Sequence, residues 1–157
     1  AALLLMPTAM SHAQSPPNAV EIVESFDAPP SQVWRAWTDR AWVSRWFGSN
    51  AGGRVLEAQL DVRPGGRFSV TFSDADGTEH TSHGEYVDVQ PLNKLSFTWE
   101  WKSEPGVQTL VTVTLAPEGN GTRMRFEHSR LFQVSAHDYA SGWRSTLAKL
   151  EQVLRQP

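Results

Sequence analysis

Polar and apolar positions change period three times along the chain. From Val20 to Phe26 they alternate as in a strand, and Ala28-Pro29-Pro30 ends the run because proline lacks an amide donor and restricts the residue before it. The spacing then turns helical. Val33, Trp34 and Trp37 share one face of a short helix, and Thr38 or Asp39 is placed to cap a second that carries Trp42, Val43, Trp46 and Phe47 and stops at Gly48. Period two returns in strand-like runs at about 54–62, 66–73, 79–90, 92–101, 107–116 and 122–129. Their connectors are turn sequences: Arg63-Pro64-Gly65-Gly66, Asp74-Ala75-Asp76-Gly77, Pro91-Leu92-Asn93 and Glu118-Gly119-Asn120-Gly121. An antiparallel meander is expected, apolar on the face of Phe68, Val70, Phe72, Leu95, Phe97, Trp99, Trp101, Met124, Phe126 and His128. Arg67, Ser69, Thr71, Ser96, Thr98, Glu100, Arg123, Arg125 and Glu127 face water. A final helix of about 20 residues, capped by Ser135, aligns Tyr139, Trp143, Leu147, Leu150 and Leu154 in one stripe. No other element can cover the apolar face, so the sheet is expected to curl around this helix.

The N-terminal residues form a separate object. Ala1 to Met10 is an apolar run, too short and too interrupted by Pro7 to span a bilayer, and Ser11-His12-Ala13 offers the small-x-small pattern of a signal-peptidase site. Residues 1–19 are expected to be the remnant of a secretory leader and a linker, with a mature chain beginning at Gln14 and one domain over 20–157. Such a chain is periplasmic or secreted; without a working leader it is cytoplasmic.

Composition narrows the chemistry. The 157 residues suffice for one domain with a sizeable core. Fourteen Lys and Arg against 17 Asp and Glu give a net charge of −3, without the basic excess that binding a phosphate backbone requires. Nucleic acid is therefore not an expected partner. The absence of cysteine removes disulfides, thiolate nucleophiles and cysteine-ligated zinc. Seven tryptophans are unusual at this length and suit a bulky core or an aromatic-lined cavity.

Several motifs are better explained by structure than by chemistry. Asp74-Ala75-Asp76-Gly77 lacks the further chelators and flanking helices of a calcium loop and is a hairpin turn. His80 and His83 lie on opposite faces of a strand, so no metal site is expected there. Ser141 lacks the elbow of a serine hydrolase, and the turn at Gly65 lacks the lysine and the helix of a phosphate loop. Asn120-Gly121-Thr122 is a glycosylation sequon, but Asn-Gly is also a strong hairpin signal and no glycan is assigned.

Val33-Trp34-Arg35-Ala36-Trp37-Thr38-Asp39, Trp46-Phe47, Arg63-Pro64-Gly65-Gly66-Arg67-Phe68, Gly84-Glu85-Tyr86, Leu95-Ser96-Phe97-Thr98-Trp99, Thr122-Arg123-Met124-Arg125-Phe126-Glu127-His128 and Gly142-Trp143 follow one another in a recognisable order. The set, spread over about Val20 to Leu154, resembles the family of homologues of the activator of the heat-shock protein 90 ATPase, in the START-like (SRPBCC) superfamily. Most bacterial members of that family are single domains. The resemblance implies an α+β helix-grip fold, with a curved antiparallel sheet around the terminal helix and a cavity between them. Superfamily members bind lipids, sterols, polyketides or other hydrophobic molecules there, and a few are cyclases or dehydratases.

The expected function is binding of a small hydrophobic or aromatic molecule in that cavity, with no cofactor and no metal. Trp46, Trp99, Trp101 and Trp143, with Phe68, Tyr86, Phe126 and His128, form the candidate ligand-binding set. Trp34, Trp37 and Trp42 are expected in packing. His128 continues the inward parity of Met124 and Phe126, so a ring nitrogen is either available to a ligand or taken up in a core hydrogen bond. One alternative is a cyclase or dehydratase in which His128 with Tyr86, or with a carboxylate such as Asp88, moves a proton; no catalytic residue is assigned on that basis. The other is stimulation of a chaperone ATPase, which an exported domain would not meet. Gly142, costing about 1 kcal/mol in a helix interior relative to alanine, makes room either for close packing or for a ligand.

Overall fold

The computed structural model describes residues 18–156; the expected leader and residues 14–17 of the expected linker lie outside the described residues. The first strand, β1 (Val20–Phe26), ends at the prolines. Helix α1 (Pro30–Thr38) starts with Pro30 in its first turn, where a missing amide costs nothing. Thr38 bonds back to the Trp34 carbonyl, and it is Asp39 that caps α2 (Arg40–Trp46), its carboxylate accepting from the Ala41 N–H at 2.9 Å.

Six strands follow: β2 (Arg54–Leu60), β3 (Arg67–Ser73), β4 (Glu79–Gln90), β5 (Lys94–Trp101), β6 (Thr109–Glu118) and β7 (Gly121–Ser129). The fifth starts at Lys94 rather than 92, because Leu92 occupies the turn with φ 69°. All pairings are antiparallel, in the order β1-β7-β6-β5-β4-β3-β2. The strands from β2 to β7 form a meander, and β1 closes onto its far edge, with Val20 opposite His128 and Phe26 opposite Thr122. The alternation in β1 could not reveal that partner. Gly84 allows a close approach between β4 and β5, since a Cβ there would collide with the Thr98 carbonyl.

The apolar face is as the alternation predicts: Phe68, Val70, Phe72, Leu95, Phe97, Trp99, Trp101, Met124, Phe126 and His128 are all buried. Ser96 is the exception on the other face. It is buried, and its hydroxyl lies within hydrogen-bonding distance of the Val111 carbonyl and the Thr112 hydroxyl.

The last helix, α3 (Tyr139–Arg155), has 17 residues rather than about 20. Its cap is Asp138, accepting from the Ser141 N–H at 3.1 Å, instead of Ser135. The reason is a competing partner: the Glu104 carboxylate takes the Ser135 hydroxyl at 2.7 Å and the Ala136 N–H at 2.8 Å, which holds Ser135–Asp138 as an irregular segment. Trp143, Leu147, Leu150 and Leu154 are buried along α3 against the sheet, and Tyr139 is only partly so. This is a helix-grip α+β fold. No helix among the described residues is long and apolar enough to cross a membrane.

Candidate functional site

Two regions of the space between sheet and helix differ in packing. At one end α1 and α2 act as a plug. Trp46 is fully buried and its indole N–H donates to the Ala36 carbonyl at 2.9 Å, which fixes the ring edge-on to Trp37 at 4.7 Å. Phe68 then packs on Phe97 at 5.1 Å and on Tyr86 at 5.7 Å. The remaining void is about 20 Å3, close to the space that a single water needs. Burial pushes the Tyr86 phenol well above its ordinary value, with Asp61 adding to the shift. Three of the candidate ligand residues, Trp46, Phe68 and Tyr86, lie here.

The other end is open. A cavity of about 350 Å3 lies between the first turns of α3, the ends of β3 and β5, the start of β4, and the segment Ala136–Asp138. Trp99, Trp101 and Trp143 line it, and Trp99 holds the centre, 5.2 Å from each of the other two rings. Phe47 and Phe72 complete the apolar wall. They meet because Gly48, with φ 109°, turns the chain across the Phe72 ring, where a side chain at residue 48 would come within 2.9 Å of it. The Trp99 indole N–H is buried without a hydrogen-bond partner among the described residues. Gly142 opens onto the same space. An added Cβ would meet only Ser49, at 3.6 Å, so close packing does not demand this glycine.

His128 lies beneath that wall, with both nitrogens engaged. The Trp143 indole N–H donates to Nδ1 at 2.8 Å, so the neutral ring carries its proton on Nε2, which faces the Thr109 hydroxyl at 2.6 Å; that hydroxyl in turn donates to the Trp99 carbonyl at 3.1 Å. Burial brings the His128 pKa down to about 3. It is a neutral strut between β7, β6 and α3, and it has no nitrogen free for a ligand. Phe126, stacked over Trp37 at 6.2 Å and 4.4 Å from Trp143, belongs to the same buried layer and lines neither space.

The pairs considered for proton transfer do not converge. Tyr86 lines the closed end, and Asp88 sits past an irregularity in the β4–β5 register, accepting from Gln90 and paired with Lys94 at 3.4 Å. Trp42 also departs from expectation. It is only partly buried, with the Arg35 and Arg45 guanidinium groups 5.4 and 4.6 Å from its ring centre. Asp74, His80 and His137, among the polar residues that line the open cavity, are not in the candidate set. Parity could have found His80, which faces inward with Ser82, Gly84 and Tyr86 and pairs with Phe72, while His83 turns outward to Glu100. His137 had no such signal, because its placement depends on the Glu104 clasp. Among the described residues no group of three or more His, Asp or Glu side chains is placed to hold a metal ion.

Residues 27–155 match the family described as activator of Hsp90 ATPase homolog 1-like protein. The chain belongs to this family. No curated protein matches the chain. Among solved structures it is similar to protein CV1439 of Chromobacterium violaceum, with 23% identity, a TM-score of 0.78, and coverage of 88% of this chain and 97% of that one. A protein of Rhizobium leguminosarum is 26% identical with a TM-score of 0.72, covering 88% and 95%. CalU16 of Micromonospora echinospora is 27% identical with a TM-score of 0.65, covering 87% and 75%. The family and fold are those that the sequence motifs resemble.

Proposed function

We propose that the domain binds a small hydrophobic or aromatic molecule in the open cavity, between the ends of β3 and β5 and the first turns of α3. The observation that carries this reading is the wall of Trp99, Trp101, Trp143, Phe47 and Phe72 around about 350 Å3 of space, within the size range of small-molecule sites. The polar groups Asp74, His80 and His137 beside these rings match the usual composition of a ligand site, in which a few placed polar groups orient a mostly apolar molecule.

The test uses 1-anilinonaphthalene-8-sulfonate and naphthalene as probes. Binding should shift the tryptophan emission and raise the melting temperature with probe concentration. Gly142→Leu should abolish both effects by filling the cavity without removing an existing contact. Binding that survives Gly142→Leu unchanged would place the probes elsewhere and reject the reading.

A further inference from the structure

One wall of the cavity is polar and specifically built. Asp74, in the turn after β3, places Oδ2 2.9 Å from His80 Nε2 on β4. That contact occupies Nε2 and leaves Nδ1 without a hydrogen-bond partner among the described residues. The Asp74 side chain makes no other hydrogen bond there. Across the mouth, the His137 ring is 5.8 Å from His80 and lies flat on Trp101, with centroids 4.0 Å apart and planes 12° apart. The two imidazoles are not equivalent. Burial lowers the His137 pKa, Glu104 opposes that shift, and His80 adds to it. Of the two rings, only His80 has a carboxylate within hydrogen-bonding distance among the described residues.

The other titratable groups around His80 are mostly acidic. Asp76 belongs to the same turn and interacts with His80, Asp138 lines the cavity, and Glu104 stands behind His137. Glu79 precedes it on β4, and His83 and Glu100 pair on the outer face. No lysine or arginine lines the cavity.

We propose that the Asp74–His80 dyad receives the acidic hydroxyl of a phenolic or enolic ligand whose ring lies against Trp99 and Trp101. An imidazole with a carboxylate on one nitrogen and a free second nitrogen is suited to accept a proton from such a group. The ligand O–H donates to His80 Nδ1. On transfer the O–H bond breaks, the proton passes to Nδ1, the electron pair stays on the oxygen, and the resulting imidazolium is held between that oxyanion and Asp74. This assignment rests on the cavity being a binding site and adds the chemical class of what it binds.

The probe is 4-nitrophenol, whose neutral and ionised forms absorb at different wavelengths, with nitrobenzene as its counterpart without a hydroxyl. Bound to the wild-type protein, 4-nitrophenol should ionise about one pH unit lower than when bound to His80→Gln, a tenfold change in its acid equilibrium. Asp74→Asn should raise the ionisation midpoint in the same direction, and nitrobenzene should bind all three proteins alike. A midpoint unmoved by both substitutions, with the probe still bound, overturns the dyad and leaves the cavity's binding role standing. Failure of both probes to bind the wild type removes the binding role, and the dyad with it. Should His80→Gln not fold, Asp74→Asn decides alone: a wild-type midpoint in that variant rejects the proposal.

Discussion

Aromatic side chains line both ends of the grip, yet one end holds about 20 Å3 of space and the other about 350 Å3. At the closed end Trp37 and Trp46 arrive on helices that enter the curve of the sheet, and the Trp46 N–H finds the Ala36 carbonyl, so the plug is both packed and satisfied. At the open end no residue of α1 or α2 lines the space. The segment Ser135–Asp138 is drawn aside by Glu104 and covers Trp101 with a single imidazole. Aromatic content therefore says little about where a ligand goes. What stops each end of the sheet decides it.

The largest expected effect tests the plug. Trp46→Ala should destabilise the domain by about 3–5 kcal/mol, as for other large-to-small changes at fully buried aromatic positions. Trp101→Ala at the cavity wall should cost at least about 1 kcal/mol less, because part of its surround is already empty. Urea unfolding of the two variants gives the comparison, and equal losses would erase the distinction between the ends.

The second test concerns the strut behind the open wall. His128 has its pKa lowered in the folded state to about 3 from an ordinary 6.5, so between those values the unfolded chain binds more protons than the folded one. Stability from this group is complete above about pH 6.5 and is lost as the pH falls toward 3, by up to a few kcal/mol. His128→Gln should flatten that part of the pH–stability curve, measured as the difference between wild type and variant so that other titrating groups cancel. A parallel pair of curves would mean that His128 is reached by water.

Gly142→Ala should act in opposite directions on two measurements. Helix propensity should raise stability by up to about 1 kcal/mol, since the new methyl meets Ser49 at an ordinary contact distance, while naphthalene should bind more weakly. Loss of stability would show that the open end is more tightly packed than its geometry indicates. The smallest effect is expected for Glu104→Gln. The change in global stability should stay under about 1 kcal/mol, as for a surface-exposed charged contact, but hydrogen exchange at the Ala136 amide should accelerate. An unchanged exchange rate would remove Glu104 as the reason that α3 begins late.

Strand positions and inward faces were legible in the alternation, because each is set by neighbours two residues apart. The same rule turned Trp99 and Trp101 inward, as the helical stripe turned Trp143, and it applies equally to His80. The separate faces that exclude a His80–His83 metal pair are the same parity that turns His80 inward, opposite Phe72. Trp46, Phe68 and Tyr86 illustrate the limit. Their inward direction was readable, but whether inward meant core or cavity depended on α1 and α2 filling that end.

The sequence by itself determined the element order, the apolar face of the sheet, the stripe on the terminal helix and the family, all of which rest on local periodicity and on motifs that follow one another along the chain. Only the tertiary structure decided that β1 pairs with β7, that His128 has both nitrogens engaged, and that Asp74, His80 and His137 share one cavity with three tryptophans. Those facts join residues from separate elements. They are set by how the sheet curls, by what plugs its two ends, and by which polar partner each buried nitrogen finds, none of which a short-range pattern encodes.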